Sequence, residues 1–390
     1  MKHFSLGIHL LVLVGATSLS AQTFIPHPPP PPKYVVLDTR RLTTVRQELT
    51  LIAMQGYRAT YVAPRPGNAF WPAGMTMILE KLPEGSAAPE YLLAEEKNGS
   101  AIHHLQNFGQ TGFRYVRNSA FTHRGHDFWG DFWETAVFGE KHVRHEKYDN
   151  FTNYVLLERS RDFAGCRYRA QLTNPGKETA VPKHHFAEGF QIVGKIENTV
   201  VLENCSGPLP AWEDNEAQLS ESYAAERFRI LATTDFKKRQ KGLAEAVSQG
   251  FQVSHASGNL ICLAKRDGVD SSRGYTSLAA MTEAELEKKM NDASGFRMVP
   301  ETLARKNSFW SGVEYQIVME KVPESGPQCR YRVVREEKGS DLQDILNLLN
   351  GKGYEVKGIS RDVTGITVLM EKVIEQEVPA AEQKAETRLD

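Results

Sequence analysis

The chain has 390 residues, and its 47 lysines and arginines nearly balance 48 aspartates and glutamates. This balance provides no electrostatic footprint for nucleic acid or an acidic membrane surface, so we expect neither as a partner. The length exceeds that of one ordinary hydrophobic core and suits several small units packed side by side.

The first 21 residues have the composition of a secretory signal peptide. Lys2 precedes an apolar run from Leu10 to Val14, and small residues lead to a cleavage site near Ala21. The run is shorter than the roughly 20 residues that span a bilayer. Residues 22–33 are proline-rich, which favours an extended linker. We therefore expect a periplasmic or secreted protein with no transmembrane segment in the mature chain.

A glycine followed by an aromatic residue recurs along the chain, each time between an amphipathic stretch and a short apolar run. The pairs are Gly56-Tyr57, Gly112-Phe113, Gly189-Phe190, Gly250-Phe251, Gly295-Phe296 and Gly353-Tyr354. Tandem recurrence of one supersecondary unit indicates a repeat architecture.

The last copy shows the order of elements most clearly. Residues 330–335 alternate polar and apolar side chains, as in a half-buried strand. Ser340 opens a capping box for a helix, and Gly353 ends the helix. Two further strand-like runs begin at Tyr354 and Gly365. The repeated unit is therefore predicted to be β-α-β-β.

Six such units cover most of the chain. The sequence predicts repeats at 34–82, 91–160, 166–205, 226–267, 274–323 and 329–374. The second repeat carries an insertion over 117–153, and the third is degenerate because Pro175 and Pro182 interrupt its helix. Residues 375–390 have almost no large apolar side chains, which predicts a disordered tail.

One unit of about 45 residues buries too little apolar surface to be stable alone, which favours pairing. The links Glu80–Glu84 and Glu320–Glu324 have nearly the same sequence and join copies one to two and five to six. We therefore predict an α+β fold of six tandem β-α-β-β repeats, arranged as three pseudo-dimers with antiparallel or mixed sheets.

The last copy contains Tyr331-Arg332-Val333-Val334, a helix ending at Gly351-Lys352-Gly353, and then Tyr354-Glu355-Val356. With these motifs it resembles a short bacterial domain family of unknown function. That family usually has Gly-Trp-Glu-Leu after the helix, whereas tyrosine or phenylalanine replaces the tryptophan in every copy here. The resemblance implies a βαββ fold and no activity.

Four cysteines in an exported chain permit two disulfides. If the third strand of a unit lies antiparallel between the first and second, Cys166 and Cys205 come within bridging distance. The alternative is two free thiols. Cys262 lies within a strand and is expected to be a small buried hydrophobe, which Cys329 reaches only if copies four and six are neighbours.

The insertion of the second repeat is rich in histidine. His123/His126 and His142/His145 have the spacing His-x-x-His, and two such pairs can hold zinc or another transition metal. The helical His-Glu-x-x-His arrangement of a metalloprotease is missing. A loop without metal is the favoured interpretation, and no cofactor is expected. A metal-dependent hydrolase is the alternative.

Aromatic residues recur in the connections between the second and third strands. They include Phe70, Trp71, Phe128, Trp129, Trp133, Phe309 and Trp310. Tryptophan offers a large rigid face for recognition, so these residues are candidates for a binding surface. Packing between copies is the other interpretation.

The third strands end in charged pairs, which invites a catalytic interpretation. Examples are Glu158-Arg159 and Glu371-Lys372. Adjacent strand residues point to opposite faces, so we expect solvated strand ends rather than acid–base pairs. No phosphate-binding loop or Gly-x-Ser-x-Gly elbow is present. We expect a non-enzymatic binding or interaction module with an unknown protein or cell-envelope partner; a structural spacer is a further alternative.

Overall fold

The structure is a computed structural model. It describes residues 30–39, 42–65, 74–97, 102–124, 151–159, 165–172, 190–196, 199–205, 228–233, 235–257, 260–265, 274–308, 312–323, 326–362 and 364–374. Contacts divide the chain into two compact parts, Met1–Pro31 and Pro32–Asp390, and every element described below belongs to the second part.

The first half of the folded chain contains three groups of elements, called units 1 to 3. Unit 1 comprises β1 (Tyr34–Thr39), α1 (Leu42–Met54), β2 (Tyr57–Arg65) and β3 (Gly74–Lys81). Unit 2 comprises β4 (Glu90–Lys97), α2 (Ile102–Gly109), β5 (Phe113–Tyr115), β6 (Phe121–Arg124) and β7 (Phe151–Arg159). Unit 3 comprises β8 (Arg167–Leu172), β9 (Gln191–Ile196) and β10 (Thr199–Asn204).

The second half contains units 4 to 6. Unit 4 comprises β11 (Phe228–Ala232), α3 (Phe236–Ser248), β12 (Phe251–Ser257) and β13 (Leu260–Lys265). Unit 5 comprises β14 (Tyr275–Ala280), α4 (Glu283–Asp292), β15 (Phe296–Met298), β16 (Ala304–Ser308) and β17 (Gly312–Lys321). Unit 6 comprises β18 (Gln328–Glu336), α5 (Gly339–Asn350), β19 (Glu355–Arg361) and β20 (Ile366–Ile374).

Each unit forms one small antiparallel sheet with its last strand in the middle. The strand orders are β1-β3-β2, β4-β7-β5, β8-β10-β9, β11-β13-β12, β14-β17-β15 and β18-β20-β19. In units 2 and 5 a fourth strand, β6 or β16, also pairs with the middle strand.

The glycine of the recurrent pair lies between the helix and the second strand. Gly56, Gly112, Gly250, Gly295 and Gly353 all have left-handed backbones, with φ between 76° and 86°. Residues with a Cβ rarely adopt this conformation, which explains why glycine ends each of these helices.

The predicted fold class, an α+β protein of six β-α-β-β repeats in three pseudo-dimers, is wrong. The described residues contain twenty strands and five helices, arranged in six small antiparallel sheets, so the fold is mostly β. The described part of unit 3 contains no helix. The pairing also fails, because the middle strands are apolar on both faces and each sheet is therefore covered on both sides.

Six hydrophobic clusters join the sheets, and each cluster spans two consecutive units. Middle-strand residues that share a cluster are Met77 and Leu156, Leu157 and Val201, Val200 and Cys262, Ile261 and Val318, Ile317 and Leu369, and Val368 and Ile78. The last pair joins unit 6 back to unit 1. The contacts between units within Pro32–Asp390 therefore form a closed cycle.

Strand geometry explains how one middle strand serves two neighbours. In β17, Ile317 and Met319 belong to the cluster shared with unit 6, whereas Val318 belongs to the cluster shared with unit 4. Successive side chains of a strand point to opposite faces. Face-to-face stacking therefore buries every residue of this run, in the manner of propeller blades.

Each helix in the described residues packs against the first strand of the next unit. The contacting pairs are α1 with β4, α2 with β8, α3 with β14, α4 with β18, and α5 with β1. In α4, Asn291 accepts the Tyr331 backbone N–H at 2.9 Å and donates to the Tyr331 carbonyl at 3.2 Å. Asn347 of α5 binds Tyr34 in the same way, at 3.0 and 2.9 Å. These amides cover the outer edges of β18 and β1, which otherwise leave backbone groups unpaired.

None of the helices in the described ranges is long and apolar enough to cross a membrane.

Candidate functional site

A tyrosine, a glutamate and an arginine meet where unit 1 contacts unit 2. Tyr91 Oη accepts the Ala59 backbone N–H at 2.7 Å and donates to Glu158 at 3.2 Å. Arg58 holds the same carboxylate at 2.9 Å. Burial is the main cause that raises the pKa of Tyr91, with the charge of Glu158 adding to it.

The same arrangement recurs at two other interfaces. Between units 2 and 3 it consists of Tyr168, Glu203 and Arg114, with Arg114 2.8 Å from the carboxylate. Between units 5 and 6, Arg297 contacts Glu371 at 2.6 Å and Tyr331 Oη accepts the Met298 N–H at 3.0 Å. We call these three sites the tyrosine nodes.

The expectation that the charged strand ends are solvated is wrong for the nodes. Glu158, Glu203 and Glu371 are only 3%, 4% and 2% exposed. A buried carboxylate is costly unless it is paired and hydrogen-bonded, and the arginine of the preceding unit meets that need. These carboxylates hold neighbouring sheets together. Their role could not be predicted from a single unit, because the arginine that pairs with each carboxylate lies in the preceding unit.

The nodes fix the orientation of the sheets. In each node, the start of a unit's first strand lies beside the end of that unit's middle strand. It also contacts the start of the second strand of the preceding unit. The equivalent contact of Tyr34 Oη with the Val356 N–H, at 3.4 Å, orients units 6 and 1 in the same sense. Tyr275 Oη accepts the Val253 N–H at 3.2 Å, which orients units 4 and 5 in the same sense. In every unit, the second strand therefore ends and the middle strand begins at the opposite end of the sheets, which we call the hairpin end.

The predicted binding aromatics belong to connections whose flanking strands end at the hairpin end. Phe70, Trp71, Phe128, Trp129, Trp133, Phe309 and Trp310 all lie outside the described residues. The strands on either side of them are described, and they end at Arg65, Arg124 and Ser308 and resume at Gly74, Phe151 and Gly312.

The predicted metal ligands also fall outside the described side chains. His126, His142 and His145 lie in undescribed residues, and only the backbone of His123 is described, in β6. Among the described residues, the one group with the geometry of metal ligands is Cys166, Glu203 and Cys205. The two sulfurs of that group are bonded to each other, so neither is available as a thiolate ligand.

The structure joins Cys166 and Cys205 in a disulfide with a Cα–Cα distance of 4.2 Å. Cys166 directly precedes β8 and Cys205 directly follows β10, its antiparallel partner. Cys262 is buried in the cluster of units 3 and 4, and Cys329 is half-buried in β18. Unit 4 packs against units 3 and 5, so the structure does not bring Cys262 and Cys329 together.

A charged cluster supports the hairpin end between units 5 and 6. Arg335 donates to Tyr315 Oη at 3.1 Å and to Thr367 at 3.2 Å, and lies 3.5 Å from Glu283. Arg305 contacts Asp362. Burial is the main cause that lowers the pKa of Arg305. The cluster gives the strands that carry the third aromatic connection a rigid base.

Two residues with left-handed backbones meet between units 2 and 5. Asn118 and Glu301 have φ of 59° and 62°, and they are the only such non-glycine residues in the described ranges. The Asn118 amide donates to Glu301 at 2.9 Å, and the Glu301 N–H donates to the Lys357 carbonyl of unit 6 at 3.2 Å. Strain of this kind persists only where the surrounding structure enforces it.

Burial raises the pKa of Glu301, whereas the charge of Arg117 and the hydrogen bond from Asn118 oppose the shift. The sequence analysis missed this contact. In the sequence, a hydroxyl residue follows each of these two positions, and this similarity between units 2 and 5 could have indicated the contact. In the structure, Ser119 and Thr302 accept the backbone N–H groups of Leu156 and Val318 in their middle strands.

A cavity of about 640 Å³ lies between α4 and β18, next to the node of units 5 and 6. Its lining includes Met290, Phe296, Cys329 and Ile374. Phe296 and Cys329 of its lining lie near the starts of β15 and β18, at the end of the sheets opposite the hairpin end.

Comparison of the chain with protein-family models, with curated proteins and with solved structures finds no match. Function therefore has to be argued from the residues and their arrangement.

Proposed function

We propose that the protein is an exported, non-enzymatic binding module and that the hairpin end is its binding surface. The partner is a protein or another macromolecule of the cell envelope. The observation that supports this proposal is the common orientation of the sheets, which brings the ends of all second-to-middle-strand connections to one side. Three of those connections carry the aromatic residues.

The composition of these connections suits recognition. Residues 66–73, 125–150 and 309–311 contain four of the five tryptophans of the chain. Tryptophan, tyrosine and arginine dominate the binding energy of protein interfaces because they bury a large area with few rotatable bonds. The stacked sheets below them supply a rigid support, since rigidity lowers the entropic cost of binding.

The disulfide supports the exported location. Disulfides persist in oxidising compartments and are rare in the reducing cytosol. The bond between Cys166 and Cys205 closes a loop in unit 3, the unit whose described part lacks a helix. This agrees with the signal-peptide composition of the first 21 residues.

The test compares partner recovery by the full mature chain and by a triple variant, Trp71→Ala, Trp129→Ala and Trp310→Ala. Each is immobilised and exposed to a native envelope fraction, and the recovered partner is then titrated against both. We expect the triple variant to bind at least about tenfold more weakly, as for the loss of interface hot spots.

The matched control is Trp212→Ala, because Trp212 lies in the connection between units 3 and 4 rather than in a hairpin connection. Thermal unfolding monitored by circular dichroism checks that both variants are folded before binding is compared. Equal affinity of the triple variant and the wild type for the recovered partner would refute the hairpin end as the binding surface. Loss of binding in Trp212→Ala alone would place the surface elsewhere.

A further inference from the structure

The residue that follows each glycine–aromatic pair lies at an interface between units, and its charge differs among the six interfaces. At three interfaces it is the node arginine, Arg58, Arg114 or Arg297. At two others it is Gln191 or Gln252. Unit 6 alone has an acidic residue there, Glu355, so the interface between units 6 and 1 has the opposite charge at this position.

This substitution places two carboxylates at the same interface. Glu80 of unit 1 occupies the end of the middle strand, where the nodes have Glu158 or Glu371. Lys33 lies between the carboxylates, 3.3 Å from Glu80 and 3.5 Å from Glu355. Lys357 also contacts Glu355, at 2.9 Å.

The carboxylates of this site are far more exposed than those of a tyrosine node, whereas Lys33 is about as exposed as the node arginines. The side chains of Lys33, Glu80 and Glu355 are 33%, 37% and 53% exposed, whereas that of Glu371 is 1% exposed. Lysine is a flexible point charge and lacks the planar fork with which arginine binds a carboxylate. Salt screens such exposed pairs much more than it screens a buried pair.

The ionisation of Lys33 fits its position between the acids. Burial by itself lowers the pKa of Lys33, but the attraction of Tyr34, Glu80 and Glu355 outweighs it, and the pKa is raised. Tyr34 and Tyr61 are further ionisable groups at this site, and burial raises the pKa of each.

Units 6 and 1 are also the two ends of the folded chain. The other five hydrophobic clusters each join units that follow one another in sequence, whereas the cluster of units 6 and 1 joins residues that are distant in sequence. Its apolar cluster and the Asn347 hydrogen bonds match those of the interface between units 5 and 6. The two interfaces differ chiefly in their charged groups.

We infer that the cycle opens at the interface between units 6 and 1, and that Lys33 is the latch that holds Glu80 and Glu355 together. Removal of the latch leaves two facing carboxylates, which repel each other and weaken the contact of α5 with β1. Salt weakens the same contact by screening the attraction of Lys33 for both carboxylates. The inference is independent of the proposed binding surface.

Four backbone amides can report on the opening of the latch interface, because two lie at that interface and two lie at the matching positions between units 5 and 6 and serve as the control. At the latch interface, the Tyr34 and Val36 N–H groups are bound by Asn347 and Gln343, both at 3.0 Å. Between units 5 and 6, the Tyr331 and Val333 N–H groups are bound by Asn291 and Glu287, at 2.9 and 3.0 Å. Their hydrogen-exchange rates, corrected for intrinsic rates, measure the opening of each interface.

In the wild type we expect Tyr34 and Val36 to exchange about tenfold faster than Tyr331 and Val333, a ratio equivalent to about 1.4 kcal/mol. The ratio should grow as salt rises from about 0.05 to about 0.5 M, because both carboxylates of the latch are exposed whereas Glu371 is buried, so screening weakens the latch more. Lys33→Gln should accelerate Tyr34 and Val36 alone.

Charge reversal provides the decisive pair of variants. Glu355→Arg restores a node-like pair with Glu80 and should slow the exchange of Tyr34 and Val36. The matched variant Arg297→Glu places two acids beside each other between units 5 and 6 and should accelerate Tyr331 and Val333. Equal wild-type rates at the two interfaces, or unchanged or faster exchange in Glu355→Arg, would overturn the inference.

Discussion

Substituting Val373 by cysteine should create a second disulfide, with Cys329. The two residues face each other in the pairing of β18 with β20, just as Cys166 and Cys205 flank the pairing of β8 with β10. In both units the pair lies two positions before the first-strand tyrosine. The Tyr331 N–H and carbonyl point away from β20 toward Asn291, so those of Cys329 do also. Cys329 and Val373 therefore form a non-hydrogen-bonded pair, for which Cα atoms lie about 4.5 Å apart.

The size of the effect follows from the loop that the bond closes. A loop of about 44 residues corresponds to about 4 kcal/mol of unfolding free energy in the chain-entropy treatment, which is an upper value for an engineered bond. Val373 is 47% exposed, so its replacement removes little buried apolar surface. The native Cα–Cα distance of 4.2 Å at Cys166 and Cys205 shows that this strand position accommodates a bridge.

The assay combines peptide mapping under non-reducing conditions with urea unfolding before and after reduction. Val373→Ser is the control, because it loses the same methyl groups and gains no thiol. We expect Val373→Cys to pair with Cys329 and to unfold at a higher urea concentration than Val373→Ser. The strand alignment between β18 and β20 would be refuted if positions 329 and 373 both carried free thiols after air oxidation. A bond without any gain over the serine control would refute the magnitude.

The other predictions concern residues whose partners are described. Glu301→Gln should flatten the pH dependence of stability. The raised pKa of the Glu301 carboxyl stabilises the fold at pH values below the unfolded pKa of about 4.3, and this stabilisation is lost as the pH rises through the folded pKa. Between about pH 4 and 7, the melting temperature of the variant should therefore decline less than that of the wild type. Cys166→Ser should lower the free energy of unfolding by about 2–5 kcal/mol in urea titrations, and an equal loss in reduced wild type is the check. Asn291→Ala leaves both backbone groups of Tyr331 without their partner and should cost about 1–3 kcal/mol, whereas Asn291→Asp, which still accepts the Tyr331 N–H, should lose less.

Local patterns in the sequence indicated where strands and turns occur, because they depend on neighbouring residues. The glycines before Tyr57 and Tyr354 have the left-handed backbone that a residue with a Cβ avoids. Cys166 and Cys205 were singled out from an assumed strand order, and the structure has that order in unit 3.

The arrangement of the units required information that a single repeat does not carry. The pseudo-dimer prediction was based on the small size of one unit and on the similar links Glu80–Glu84 and Glu320–Glu324. Runs such as Ile317-Val318-Met319 are apolar without alternation, which indicates burial on both faces of a sheet. This signal was present and was not used. The role of Glu158 could not be read locally, since its arginine partner lies in another unit.

The cyclic order of contacts has a consequence for biosynthesis. Unit 1 is synthesised before unit 6. Because α5 of unit 6 covers β1, the outer edge of β1 and the side chain of Ile78 stay unshielded until unit 6 has been made. A chain truncated before α5 should therefore present an uncovered strand edge to other nascent chains and be prone to aggregate. A chaperone that shields β1 until the sixth unit has been made should therefore assist folding.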